Sequence, residues 1–282
     1  MTDMNGDHGT EGTAPAILTE ELTRTYRMGG QDIPALRGVN LLVPEGRYMS
    51  LKGRSGSGKT TLLNCIGGLD TPTSGVVRIF GESIDQWTER KLTMWRRMTV
   101  GFVFQSFGLM PSLSAYENVE LMLRMSGAKG RQRRAKAVEC LELVGLTRWM
   151  HHRPFELSGG QQQRVAIARS LANSPRLILA DEPTGELDTQ TAREILGLFQ
   201  TIVREQQVTV LMVTHDSLSD EYVDEILYLS DGAIAEQQPS VRERDRTIPN
   251  PGDVRVLPVA DSQETPADTE EAPDRPSAPA ES

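Results

Sequence analysis

The chain has 282 residues, 38% of them hydrophobic, enough to bury the core of one large domain or of one domain with an inserted subdomain, which excludes a wholly disordered protein. The formal charge of −9 belongs to the ends: residues 1–16 carry three acidic and no basic side chains and residues 239–282 carry ten and five, leaving 26 acidic against 25 basic in between. That near-neutral centre lacks the basic footprint expected of a nucleic-acid binder, so no nucleic-acid partner is expected. Cys65 and Cys140 fall in helical segments without metal-ligand spacing, which predicts buried free thiols in a reducing compartment. The N-terminus has no basic, apolar leader, and no run reaches the ~18 apolar residues of a spanning helix. A soluble, cytoplasmic chain is expected, with any membrane part supplied by another polypeptide.

In chain order, residues 1–14 are polar and glycine-rich, and the acidic 239–282 stretch is rich in Pro, Glu, Asp, Ser and Ala; both are expected to be disordered tails around a folded unit at 15–238. Residues 16–26 and 35–43 read as antiparallel strands joined by a loop, MGGQDIP. A strand at 47–53 feeds a glycine-rich loop, followed by a helix to about Gly67, a strand at 76–80, a helix over 86–97 and a strand at 100–104. From about 112 to 160 the periodicity is helical with no strand signal, including an amphipathic run from Arg131 to Val144, which predicts an inserted α-helical subdomain. Helices at 161–173 and 189–206 then alternate with apolar strands at 177–180 and 208–214, and two last strands meet at Asp231-Gly232, a hairpin signal. Fully apolar strands alternating with helices predict an α/β fold with a mostly parallel core sheet covered on both faces, beside the antiparallel β subdomain of the N-terminal strands.

Two motifs carry chemistry. GRSGSGKT at 53–60 lies between a strand and a helix, the context a phosphate-binding loop requires. Glycine at Gly53, Gly56 and Gly58 lets the backbone curl around phosphate oxygens, so that N–H groups through Arg54, Ser55 and Ser57 and the start of the next helix face the anion. Lys59 reaches the β and γ phosphates, the Thr60 hydroxyl ligates Mg2+, and Thr61 adds a phosphate contact. The strand LILA at 177–180 ends in Asp181, the metal-side carboxylate of such a site, next to Glu182, placed to take a proton from an attacking water.

With the sequences that surround them, these residues resemble the ATP-binding subunits of ABC transporters over about residues 16–236. The resemblance implies the phosphate-loop ABC ATPase fold, with ATP and Mg2+ as cofactors. It makes Tyr26 the aromatic that stacks on adenine and Gln105, after VGFVF, the glutamine that senses Mg2+ and the water. Thr60, Gln105 and Asp181 are then the metal residues, Asp181 acting through a water. LSGGQ at 157–161 matches the family signature, TGELD at 184–188 the loop crossing a dimer interface, and His215 the switch histidine. Glu182, His215 and Gln105 are thus the implied catalytic set, and His151 and His152 read as polar loop residues.

The signature repeats the physics of the phosphate loop: Ser158, Gly159 and Gly160 open a helix whose start suits an anion. The chain holds one Lys-Thr pair and one Asp-Glu pair. The resemblance implies a homodimer, or a heterodimer with a related ATPase subunit, in which Ser158, Gly159, Gly160, Gln161 and Asp188 serve the partner's nucleotide. QSFGLMPSLSAYENVELML, SGGQQQRVAIARSLA and ADEPTGELD are similar to the macrolide-exporter, lipoprotein-release and FtsE-type group, although Glu186 departs from its usual Asn. This implies an integral membrane permease as partner, with the chain peripheral on the cytoplasmic face of the membrane. The FGLMPSLS segment resembles the groove that receives a permease helix, while core packing remains the alternative for Leu109 and Leu113. A soluble ABC-type ATPase acting on nucleic acid or ribosomes is the other reading. It lacks support from a second cassette, coiled-coil arms or zinc-binding cysteines. A nucleoside kinase leaves LSGGQ unexplained.

Overall fold

The structure is a computed structural model that describes residues 14–239; the two tails expected from composition lie essentially outside the described residues. Among the described residues no helix is long and apolar enough to cross a membrane.

Two sheets form the frame. The first has the order β2-β1-β4-β5, all antiparallel, built from β1 (Ile17–Met28), β2 (Gln31–Val43), β4 (Ser74–Ile79) and the short β5 (Glu82–Ser83). The second has the order β10-β9-β3-β8-β7-β6, from β3 (Tyr48–Lys52), β6 (Val100–Val103), β7 (Leu177–Asp181), β8 (Thr209–Val213), β9 (Glu225–Ser230) and β10 (Ala233–Pro239). Only the β9–β10 pair in it is antiparallel. The central strands are apolar throughout because both faces are covered. In β7, Ile178 and Ala180 join a core with the helical segment, whereas Leu177 and Leu179 join a second core with α1 (Lys59–Ile66), α2 (Glu89–Thr99) and the antiparallel sheet.

The helical segment between β6 and β7 contains α3 (Ala115–Met125), α4 (Gly130–Leu143), two short 3-10 turns and α5 (Gly159–Leu171). Glu120 on α3 joins it to α4 by accepting from Arg133 Nε at 2.6 Å and from Arg124 Nη2 at 2.8 Å. Burial alone would raise its carboxyl pKa, but the two arginines outweigh burial and hold it below the ordinary value. The last helix, α6 (Thr189–Gln206), carries a broad apolar face through Ile195, Leu198, Phe199 and Ile202 into the same core.

Two local expectations are corrected, and one short strand is added. MGGQDIP is not a loop: Gln31–Pro34 belong to β2 in register with Thr25–Met28, and the turn is Gly29-Gly30 alone. Both glycines have positive φ, the requirement of a two-residue I′ turn, and Pro34 is tolerated because β2 is an edge strand. The helix expected from 86 starts at Glu89, where the Thr88 hydroxyl accepts from Lys91 N. The tiny β5 carries no period-2 pattern and was not expected. The Asp231-Gly232 hairpin is present, both residues at positive φ, and Cys65 and Cys140 are buried free thiols with pKa values pushed up by burial to about 12 and about 11.

Candidate active site

The phosphate loop is the turn between β3 and α1. Gly58, the residue before α1, has φ +102° and makes no side-chain cap, so the first N–H groups of the helix face the cleft. At Gly53 a Cβ would lie 2.2 Å from the Leu229 carbonyl oxygen, so only glycine lets the loop pass under the β9–β10 turn. Gly232 in that turn donates to the Ser57 carbonyl at 3.0 Å, and Arg37 of β2 donates to Gly232 O at 2.8 Å. The terminal hairpin therefore braces the loop against the antiparallel sheet.

Lys59 is 9% exposed and donates to the carbonyls of Gly53 at 2.9 Å and Arg54 at 3.1 Å, which holds its ammonium inside the curl of the loop. Thr60 Oγ1 stands 3.4 Å from Asp181 Oδ1 at the end of β7. Desolvation raises the Asp181 carboxyl above its usual value, the neighbouring Glu182 adds to this, and Thr60 and Lys59 oppose it. The next residue, Glu182, has φ +48° and is anchored by its own N–H to Val213 O at 2.9 Å. His215 Nδ1 lies 2.9 and 3.0 Å from the two Glu182 carboxylate oxygens; with the carboxylate as acceptor, Nδ1–H donates.

One cleft of about 600 Å3 is lined by the phosphate loop with Lys59, Thr60 and Thr61 and by Gln105, Glu182 and His215, with Asp181 outside the lining and reached through Thr60. Gly53, Arg54, Ser55, Gly56 and Gly58 contribute to the lining. Gln105 sits close to the turn after Glu182: a Cβ on Gly185 would come 3.2 Å from its Nε2. A hydroxyl, a carboxylate and an amide around a phosphate-sized curl form an all-oxygen donor set suited to a hard cation such as Mg2+. Among the described residues no three His, Cys, Asp or Glu side chains converge as a metal cage.

Other singled-out residues lie outside that lining. Tyr26 on β1 donates from its hydroxyl to Asp70 Oδ2 at 2.6 Å, with the Arg24 guanidinium 4.5 Å from its ring centre. Ser158 caps α5: its Oγ accepts from Gln161 N at 3.3 Å while Gln161 Oε1 accepts from Ser158 N at 2.9 Å. Gly160 packs against the start of α6, where a Cβ would meet Thr191 Cγ2 at 2.4 Å. Asp188 caps α6, accepting from Gln190 N and Thr191 N at 3.0 Å each, and bonding to the Thr191 hydroxyl lowers its carboxyl pKa. His151 and His152 are exposed.

Sequence reasoning missed three supports. The hairpin turn was seen only as a hairpin, and no local pattern said that it rests on the phosphate loop. Arg169 on α5 donates to Phe107 O at 3.0 Å and to Gly108 O, fixing the segment after Gln105. Gln163, also on α5, donates to Pro183 O at 2.7 Å. The run of three glutamines was visible, but only packing shows which of them turns inward.

A phosphate loop closing on a strand-end Asp-Glu pair, within a parallel sheet flanked by an antiparallel sheet and a helical insertion, defines the class as a phosphate-loop nucleoside triphosphatase. A family model described as ABC transporter matches residues 36–185. An uncharacterised ABC transporter ATP-binding protein of Methanocaldococcus jannaschii, MJ0796, is 48% identical over 226 residues, covering 79% of this chain and 96% of that protein. The lipoprotein-releasing system ATP-binding protein LolD 2 of Caulobacter vibrioides is 42% identical, covering 79% and 98%. The macrolide export ATP-binding/permease protein MacB of Rhodopirellula baltica is 44% identical, over 80% of this chain but only 33% of that longer protein. The dimeric post-hydrolysis structure of the MJ0796 cassette bound to ADP and Pi superposes with a TM-score of 0.73 at 45% identity, covering 79% of this chain and 98% of that one. The chain belongs to the ABC transporter family. It is an ATP-binding and ATP-hydrolysing subunit of an ABC transporter, and it resembles the group that contains the MacB and LolD proteins.

Proposed function

We propose that this chain hydrolyses ATP at a site shared between two cassettes and transmits the resulting opening and closing to a separate membrane permease, for export or for mechanical work across the membrane. The observation that carries this is the single cleft that joins Lys59 and Thr60 to Gln105, Glu182 and His215. The loop N–H groups and Lys59 hold the β and γ phosphates, and Tyr26 stacks on the base. Thr60, Gln105 and Asp181 would hold Mg2+, which when bound would neutralise phosphate charge. Glu182 accepts the proton of the attacking water. The His215 side chain is 73% exposed, so it can swing from Glu182 to the γ-phosphate as the site closes.

The dimer completes the site. Ser158 uses a lone pair to cap its helix, so its hydroxyl hydrogen remains to donate to the γ-phosphate of the partner's ATP, alongside the N–H groups of Gly159 and Gly160. Gln161 and Asp188 hold the two helix starts that frame this contact. The dimeric MJ0796 cassette bound to ADP and Pi supports such a pairing. The permease contact is assigned to an apolar groove of about 460 Å3 beside Gln105, lined by Phe102, Phe104, Met110, Leu121, Met122 and Met125. Met110 of the FGLMPSLS segment faces this groove, whereas Leu109 packs into the helical core. The chain then sits on the cytoplasmic face of the membrane through its permease.

Affinity purification from detergent-solubilised membranes tests the assignment: a polytopic permease is expected to co-purify in stoichiometric amount. Recovery of ribosomal or DNA-bound partners without a permease would move the chain to the soluble class of ABC ATPases.

A further inference from the structure

Glu182 is held in a backbone conformation that opposes two local preferences. Its φ of +48° lies in the left-handed region, which a residue with a Cβ adopts at a cost, and the following Pro183 restricts it further by disfavouring helical backbone in the residue before it. Such a residue stays in place only where its surroundings over-determine it. Three contacts supply that constraint. Glu182 N donates to Val213 O at 2.9 Å, Gly185 N donates to Glu182 O at 3.1 Å, and Gln163 Nε2 donates to Pro183 O at 2.7 Å.

The third contact differs in kind from the others. Proline has no N–H and fixes its own φ, so Pro183 O is the polar handle by which a neighbouring element can grip the residue after the base. Gln163 is 0% exposed, and its Oε1 is buried without a hydrogen-bond partner. A wholly buried amide is costly unless it is hydrogen-bonded, so the bond to Pro183 O is the contact that fixes this side chain. Gln163 also stands on α5, five residues after Ser158, on the helix whose start is assigned to the partner's nucleotide.

We infer that Gln163 is a positioning residue for hydrolysis: its amide pins the Pro183 carbonyl, holds Glu182 in its strained orientation, and ties that orientation to the helix that caps the partner's ATP. The inference rests on Glu182 being the base.

Gln163→Leu keeps the approximate volume and deletes the donor. In the full chain, ATP affinity and ATP-dependent dimerisation should stay within about twofold of the parent, while single-turnover hydrolysis falls by on the order of tenfold to hundredfold, the scale expected for misplacing a catalytic group. In the Glu182→Gln background, the same substitution should produce no further loss, because the group that it positions is already disabled. Parental hydrolysis by a folded, ATP-binding Gln163→Leu protein overturns the inference, and so does an equal fractional loss in both backgrounds. Should Gln163→Leu fail to bind ATP, Gln163→Glu serves instead. Burial and the carbonyl partner favour its neutral acid, which donates like the amide, so hydrolysis should be retained at low pH and lost as pH rises, relative to the parent. A parallel pH profile overturns the inference. Parental hydrolysis by Glu182→Gln alone would remove the base assignment first, and is distinguishable because it does not involve Gln163.

Discussion

Two helix starts in this molecule are suited to anions, and they are built in opposite ways. At α1 the residue before the helix is a left-handed glycine with no side-chain cap, the N–H groups are open to the cleft, and the buried Lys59 adds a full positive charge. At α5 the first turn is closed on itself by a reciprocal box between Ser158 and Gln161, and no basic side chain follows in that turn. An open start with a lysine binds a polyphosphate alone. A self-capped start retains its shape without a ligand, offers a hydroxyl hydrogen and a helix dipole, and acts as the second half of a site. The proposed site therefore places affinity in the first region and assembly in the second.

The largest effect that would test this division is at the base between the two. Glu182→Gln should lower hydrolysis by about 10²–10⁴-fold while preserving ATP binding, leaving a stable ATP-bound dimer visible by size-exclusion chromatography. Unchanged steady-state turnover would refute the base assignment. The contrast itself is tested by a pair of variants. Lys59→Ala should abolish measurable ATP binding by the isolated chain, whereas Ser158→Arg should leave that binding within about twofold and remove both the ATP-dependent dimer and hydrolysis. A dimer persisting in Ser158→Arg would show that α5 does not cap in trans.

A smaller effect concerns the stability of the helical segment that carries the second site. Glu120, with its pKa held down by Arg133 and Arg124 against burial, contributes stability that is fully present above its unfolded pKa of about 4.3 and is lost as pH falls through the lower folded value. Glu120→Gln should lower the melting temperature by about 3 °C at neutral pH, with the difference from the parent vanishing in acid below the folded pKa. A pH-independent difference would assign the loss to packing instead of charge. The phosphate-loop region offers the opposite sign. Asp181 is raised by burial, so its ionised form opposes folding above its unfolded pKa near 3.9. Asp181→Asn should raise the melting temperature of the nucleotide-free protein by roughly 1–3 °C while impairing hydrolysis; a lower melting temperature would contradict the desolvation argument.

Much of this architecture was legible in the chain itself because its signals are local. The phosphate loop needs small residues and a Lys-Thr pair in a fixed order, so GRSGSGKT declares its chemistry without reference to anything distant. The central strands show as apolar runs because two covered faces leave no polar side, and Asp231-Gly232 shows as a turn because both positions require positive φ. The errors arose where pattern and environment diverge. Pro34 argued for a loop, yet an edge strand accepts it, and nothing local identifies an edge.

The sequence by itself determined which groups can do chemistry: a lysine and a threonine in a glycine loop, a carboxylate pair after an apolar strand, and a second helix start marked by LSGGQ. Only the tertiary structure decided how they are held. That the terminal hairpin braces the phosphate loop, that Arg169 fixes the segment after Gln105, and that Gln163 rather than Gln161 or Gln162 grips Pro183 are contacts between residues 20 to 175 positions apart. Hydrogen bonds of that kind depend on how whole elements pack, and packing has no signature in the few residues around each partner.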